Sequence, residues 1–196
     1  AAGARQHGNR KEDEAAAQGR RTLLRRCRRV CGIAALLDPA GASAADAGER
    51  MADAMRHRGP DGRAVERFGP ATLVSCRLAI IDVEGGDQPL YSEDRRIALV
   101  ANGEIYNHLD LRQGLEDQGH TFATHSDCEP LVHRYEQAGP EDFLRDVNGM
   151  YGLAIWDERE QRLVAARDPF GVKPLYWWTD GRRTAVASEI GALINA

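Results

Sequence analysis

Cysteine is scarce: Cys27, Cys31, Cys76 and Cys128 are the only four in 196 residues, and no two have C-x-x-C spacing. That is too few for a disulfide framework in a chain of this size, so reduced thiols are expected. No stretch approaches the roughly 18 uninterrupted apolar residues of a membrane span, and the arginine-studded start lacks the apolar segment of a secretory signal. These absences point to a cytoplasmic protein with no membrane partner. Lysine is nearly missing, with Lys11 and Lys173 the only two among 26 basic residues. There is no internal repeat. With 42% hydrophobic and 29% charged side chains, the chain suits one generous globular domain, and disorder is excluded as the whole answer.

The formal charge of −4 hides an asymmetry, because residues 1–30 hold nine basic and three acidic groups while the remainder holds 17 and 27. The first thirty residues show no apolar face at helical or strand spacing and are read as a disordered leader, leaving 31–196 as the folded domain. The run TLLRRCRR could neutralise phosphates, but no aromatic interleaves it and the rest of the chain is acidic, so no nucleic-acid partner is expected.

Folding begins with VCGIAALL, a short apolar run that reads as a buried strand ended by Asp38-Pro39. A helix is expected from Ser43 or Ala44 to about His57, stopped by RGPDG. Short strands follow in AVERF, ATLVS, RLAII and RIALVA, separated by Gly, Pro and Asp. Asn107 is placed as the cap of a helix ending near Gly119, Glu129 to Ala138 as a second helix, and a short one after Pro140. Strands return in MYGLAIWD, RLVAAR, PLYWW and TAVAS, with turns at DEREQ and Asp180-Gly181. Strands at both ends with helices between them indicate an α+β fold with mostly antiparallel sheets.

Six clusters stand out: CGI at 31–33, RHRGPDG at 56–62, RLAIID at 77–82, NGEIYN at 102–107, SDCE at 126–129 and RDPFGVKPLYW at 167–177. Together with GMYGLAIWD and ASEIGAL, they resemble the N-terminal glutaminase half of asparagine synthetase (glutamine-hydrolysing), a class II glutamine amidotransferase. The resemblance runs from Cys31 to about Ala192. It implies the N-terminal nucleophile hydrolase fold, a four-layer αββα sandwich, with L-glutamine as substrate and asparagine biosynthesis as the setting.

Cys31 alone reads most simply as a buried core thiol. Its meaning changes if the chain begins there, because thiol and free α-amine then share one residue. An amine with a reference pKa near 7.7 to 8.0 can take the thiol proton at neutral pH, whereas an amide nitrogen has no such basicity. Attack on a side-chain amide creates an oxyanion, for which Asn102 and Gly103, placed at a strand end, offer an amide and an open backbone N–H. The ordinary alternative is an Asn-Gly hairpin turn. Arg77 suits an α-carboxylate, with backbone of the strand to Ile81 lining the pocket, and Asp127 suits an α-ammonium. Their alternatives are a solvated strand charge and a helix cap. The resemblance adds Glu104 as a glutamine contact. RHRGPDG and RDPFGVKPLYW read as structural turns, and His57 is set aside as a base because the amine makes it unnecessary.

The resemblance implies no metal or organic cofactor for glutamine hydrolysis. ATP and Mg²⁺ belong to a C-terminal synthetase domain that uses the ammonia to amidate aspartate; nothing here matches its SGGxDS loop. A homodimer is compatible with the resemblance. Two alternatives stay open: an amidotransferase serving another acceptor, such as a sugar or natural product, and a silent domain whose leader blocks the amine. Ser75 departs from the resemblance, which usually has histidine there. In such proteins Cys follows the initiator Met, and Val30 is what a GTG start codon reads as when treated as internal. Initiation at position 30 is therefore expected, with an autocatalytically removed propeptide as the competing account.

Overall fold

The computed structural model describes residues 30–41, 44–79, 82 and 85–196. The leader, apart from Val30, and Ile81 lie outside the described residues. Strand numbering follows chain order. One sheet contains β1 (Gly32–Leu37), β2 (Gly62–Phe68), β3 (Ala71–Arg77), β8 (Tyr176–Thr179) and β9 (Thr184–Ala187), in the order β2-β3-β1-β9-β8. The second contains β4 (Leu90–Tyr91), β5 (Ile97–Ile105), β6 (Gly149–Asp157) and β7 (Arg162–Arg167), in that order. Every pairing in both is antiparallel.

Strand alternation distributes the apolar residues into three layers. Ile33 and Ala35 of β1 meet Leu73, Val100, Ala154 and Trp156 between the two sheets. Their neighbours Ala34 and Leu36 point the other way, onto Met51 and Met55 of helix α1 (Ala44–Met55). On the far side of the second sheet, Leu99, Ala101 and Ile155 pack on Leu131, Val132 and Tyr135. Those last three belong to helix α3 (Pro130–Asp142), which follows α2 (His108–Glu116). A short α4 (Ile190–Leu193) contributes Ala192 to the first outer layer. The arrangement is α+β with four layers, αββα, and each fully buried Leu or Ile contributes roughly 1.5–3 kcal/mol. No helix among the described residues is long and apolar enough to cross a membrane.

Three local expectations are corrected. RLAII is not a strand through its length, because β3 ends at Arg77. The Leu78 N–H donates to the Cys31 sulfur at 3.3 Å and the Ala79 N–H to Asp61 Oδ2 at 3.1 Å, so these donors leave the ladder. Asn102-Gly103 lies inside the nine-residue β5, paired with Gly152 and Tyr151, and not at a strand end or in a turn. Asn107 precedes α2 without a side-chain cap; its amide instead bridges the Asp146 carbonyl and the Asn148 N–H, both at 2.9 Å. Asp127, whose ordinary alternative was a helix cap, reaches across to β5 instead. The helix from Glu129 and the short one after Pro140 are present, joined across a kink at Gly139, where φ is 72°.

Candidate active site

Cys31 immediately precedes β1, and alternation gives it the side of Ile33 and Ala35, toward the second sheet. It closes one end of the inter-sheet seam, in a small crevice shared with Ser75, Arg77, Gln88 and Ala101. Among the described residues the Cys31 thiol is hydrogen-bonded only to the backbone of Leu78, donating to its carbonyl at 3.5 Å and accepting from its N–H at 3.3 Å. The backbone around it is fixed more firmly. Arg58 Nε donates to the Cys31 carbonyl at 3.0 Å while its Nη1 donates to Glu189 at 2.8 Å. Two residues on, Ser188 brackets Ile33, giving its N–H to the Ile33 carbonyl and accepting the Ile33 N–H on Oγ.

Of the three described thiols, Cys31 is the partly exposed one. Burial pushes the pKa of both Cys76 and Cys128 up, and Asp127 beside Cys128 pushes in the same direction. Neither carries appreciable thiolate near neutrality, so Cys31 is the reachable nucleophile among them. His57, set aside on sequence grounds, pairs with Glu189 at 3.0 Å.

The open edge of β5 supplies the polar groups opposite. On that edge Ala101 donates its N–H to Gln88 Oε1 at 2.8 Å and its carbonyl accepts from Gln88 Nε2 at 2.9 Å, as if Gln88 were a further strand residue. Ile105 gives its N–H to Asp127 Oδ2 at 2.7 Å. Since alternate residues of a strand face the same edge, the Gly103 N–H points there too, between these two anchored positions. A Cβ on Gly103 would collide with the Met150 carbonyl and approach Tyr151 Cα to 2.9 Å, so only glycine lets β5 and β6 sit this close.

Asn102 takes the opposite face, the one that carries Ala98 and Val100 into the inter-sheet seam. It is 2% exposed, and its Nδ2 has no hydrogen-bond partner among the described residues. Leaving a buried amide donor unmatched costs roughly 1–3 kcal/mol, so a folded chain that keeps one has a reason to. A donor held ready for an oxygen that arrives with a substrate is such a reason.

Arg77, the last residue of β3, is buried, with Nη1 on Asp87 at 2.9 Å and Nη2 on the Asp82 carbonyl. Asp82 in turn accepts the His125 N–H at 2.7 Å, tying the loop after β3 to the segment that leads into Asp127. Glu104 follows Gly103 on β5 and is half-buried. The structure thus brings Cys31, Arg77 and the Asn102–Glu104 segment to one end of the sandwich, with Asp127 anchored to the same β5 edge.

Arg58, Glu189, Gln88 and Ser188 act around Cys31 and were missed as individual residues. RHRGPDG signalled the first only as a turn: Gly59 is where a Cβ would strike the Cys76 carbonyl, and Asp61 ties its N–H to the Arg77 carbonyl at 3.0 Å and its carboxylate to Ala79. The motif therefore positions the residues on both sides of Arg77. RDPFGVKPLYW is a turn organised by Asp168. Despite burial, N–H groups of Lys173, Val172 and Phe170 hold its carboxyl below the usual range.

A glutamine amidotransferase domain model matches residues 30–196. An asparagine synthetase (glutamine-hydrolyzing) of Sandersonia aurantiaca is 46% identical over 168 residues, covering 84% of this chain and 31% of that protein. Asparagine synthetase (glutamine-hydrolyzing) 3 of Arabidopsis thaliana is 43% identical, covering 84% and 28%. The chain thus spans about 30% of the length of these relatives. Among solved structures, the glutamine phosphoribosylpyrophosphate amidotransferase of B. subtilis superposes with a TM-score of 0.65 at 25% identity, covering 84% of this chain and 43% of that one. The sandwich is that of the N-terminal nucleophile hydrolases.

Proposed function

The chain belongs to the glutamine amidotransferase domain family, and from that premise we propose that it hydrolyses L-glutamine to glutamate and ammonia, with Cys31 as the nucleophile once Cys31 is the first residue. The observation that carries this reading is that the partly exposed one of the described thiols lies in a crevice lined by Ala101, next in sequence to Asn102, whose buried Nδ2 has no hydrogen-bond partner among the described residues.

In this mechanism the free α-amine of Cys31 takes the thiol proton as sulfur attacks the side-chain carbonyl carbon of glutamine. The carbonyl oxygen becomes an oxyanion and accepts from Asn102 Nδ2 and the Gly103 N–H. The protonated amine gives its proton to the leaving nitrogen, ammonia departs, and a γ-glutamyl thioester remains on Cys31. Water then attacks the thioester, losing a proton to the amine, and the C–S bond breaks to release glutamate. Glutamine and water are consumed one for one with the products, so no redox partner is needed. Arg77, with the backbone toward Ile81, binds the α-carboxylate, and Asp127 and Glu104 receive the α-ammonium end. Arg58 is a positioning residue, holding the Cys31 carbonyl so that sulfur and amine both face the seam.

The ammonia passes to a C-terminal synthetase domain that uses ATP and Mg²⁺ to amidate aspartate. The similarity to asparagine synthetases and the greater length of those relatives support this reading. Protein beginning at Cys31 should release glutamate and ammonia in equal amounts from glutamine without ATP, and failure of both to appear would overturn the assignment. Arg77→Ala should raise KM about tenfold or more with a smaller change in kcat, because the α-carboxylate does not react. Steady-state kinetics against glutamine tests this, and an unchanged KM would remove Arg77 from the binding site.

A further inference from the structure

On the side of the second sheet that carries α3, three segments distant in sequence bring two carboxylates and two histidines together. Glu93 comes from the turn between β4 and β5, His120 from the connection between α2 and α3, and His133 and Glu136 from one turn of α3. A ligand atom from each lies within 4.8 Å of all the others. His133 is fully buried, yet neither of its ring nitrogens makes a hydrogen bond to a described residue. Nδ1 faces Glu93 Oε2 at 3.3 Å, and Nε2 faces Glu129 Oε1 at 3.9 Å. The other Glu93 oxygen lies 2.9 Å from His120 Nδ1 and accepts the Thr121 N–H at 3.0 Å.

A buried imidazole whose nitrogens face carboxylates without a well-aligned hydrogen bond is under-satisfied unless something takes up a lone pair. A cation at this point does so. With metal–ligand bonds of about 2.0–2.1 Å, the atoms around a tetrahedral ion stand about 3.4 Å apart, and the Glu93–His133 pair is already at 3.3 Å. The widest gap closes by side-chain rotation, since Glu93, His120 and Glu136 are not fully buried. Two imidazoles and two carboxylates form a mixed nitrogen and oxygen set that suits Zn²⁺ better than Mg²⁺ or Ca²⁺. The Glu129 carboxylate beyond Nε2 is placed as the outer partner that orients a metal-bound histidine, and the N–H groups of Ala123 and Thr124 hold it there. Glu136 also accepts from Arg159 at 2.6 Å, so it is the ligand a cation has to share.

We propose that Glu93, His120, His133 and Glu136 form a zinc-type divalent-cation site that clamps the β4–β5 turn and the α2–α3 connection onto α3. The ion takes no part in glutamine hydrolysis. It braces α3, just after the segment that carries Asp127, and the proposal stands independently of the glutaminase reading.

The test uses the 196-residue chain, stripped with a chelator and titrated with Zn²⁺ or Co²⁺ alone. One equivalent should bind, raise Tm, and with Co²⁺ give the visible absorption of a tetrahedral site without the near-ultraviolet band of a thiolate ligand. His120→Ala and Glu136→Gln, at positions that are not fully buried, should each weaken binding about tenfold or more while the metal-free Tm stays near that of the parent. His133→Ala is avoided because a buried ring is lost with it. Unchanged affinity in both variants, a thiolate band, or no binding would overturn the site and leave His133 held by its contacts with Glu93 and Glu129 alone.

Discussion

Cys31→Ala in a chain beginning at position 31 is expected to reduce glutamine hydrolysis to the uncatalysed background while leaving the sandwich intact. Among the described residues the side chain hydrogen-bonds only to the backbone of Leu78, whereas the backbone at this point is held by Arg58 and Ser188 through groups that alanine keeps. No other described thiol can replace it, because Cys76 and Cys128 are buried and their pKa values are raised. Glutamate release read alongside near-ultraviolet circular dichroism separates loss of chemistry from loss of fold. Undiminished turnover in the folded variant would exclude Cys31 as the nucleophile.

Asn102→Ala is expected to lower kcat by about 10²-fold or more, near 3 kcal/mol, the usual consequence of removing one oxyanion donor. KM should change less, since the donor acts when charge develops on the oxygen and not when glutamine first binds. The substitution also removes a buried, unmatched amide, so the stability of the free protein should hold or rise. Slower turnover without lower Tm is the signature of a donor kept for the reaction. A rate loss below about threefold would make Asn102 an ordinary strand residue.

The sandwich was legible because its parts obey short-range rules. Short apolar runs such as VCGIAALL and MYGLAIWD, bounded by turn residues, read as buried strands, and the order of strands and helices narrows the fold class. What was not legible depends on contacts between distant residues. The β3 end at Arg77 is set by where the N–H groups of Leu78 and Ala79 go, to Cys31 and to Asp61, 47 and 18 residues away. Asn-Gly reads locally as a turn, yet here it runs through β5 because Gly103 permits close approach to β6. Gln88 standing in for a strand residue has no sequence signal at all.

The site divides in the same way. Cys31, Arg77, Asn102, Gly103, Glu104 and Asp127 were singled out because motifs carry them; in the structure Cys31 and Arg77 line one crevice with Ala101, the residue before Asn102 on β5, and Asp127 is anchored to Ile105 of the same strand. Arg58 and Glu189 were not, since an arginine and a glutamate 131 residues apart announce no pairing. Nor was the cluster around His133, whose members come from three segments with no ligand spacing beyond His133 and Glu136.

The most direct test of the N-terminal amine as the base compares two proteins that differ by one residue, one beginning at Cys31 and one beginning at Val30. Both keep the thiol, the Asn102 amide and the Arg58 contact, but in the longer one the Cys31 nitrogen is an amide without basicity. With intact mass verifying each terminus, the glutaminase rate of the longer chain is expected to fall by about 10²-fold or more, the usual contribution of a positioned general base. Equal rates in the two proteins would contradict the account.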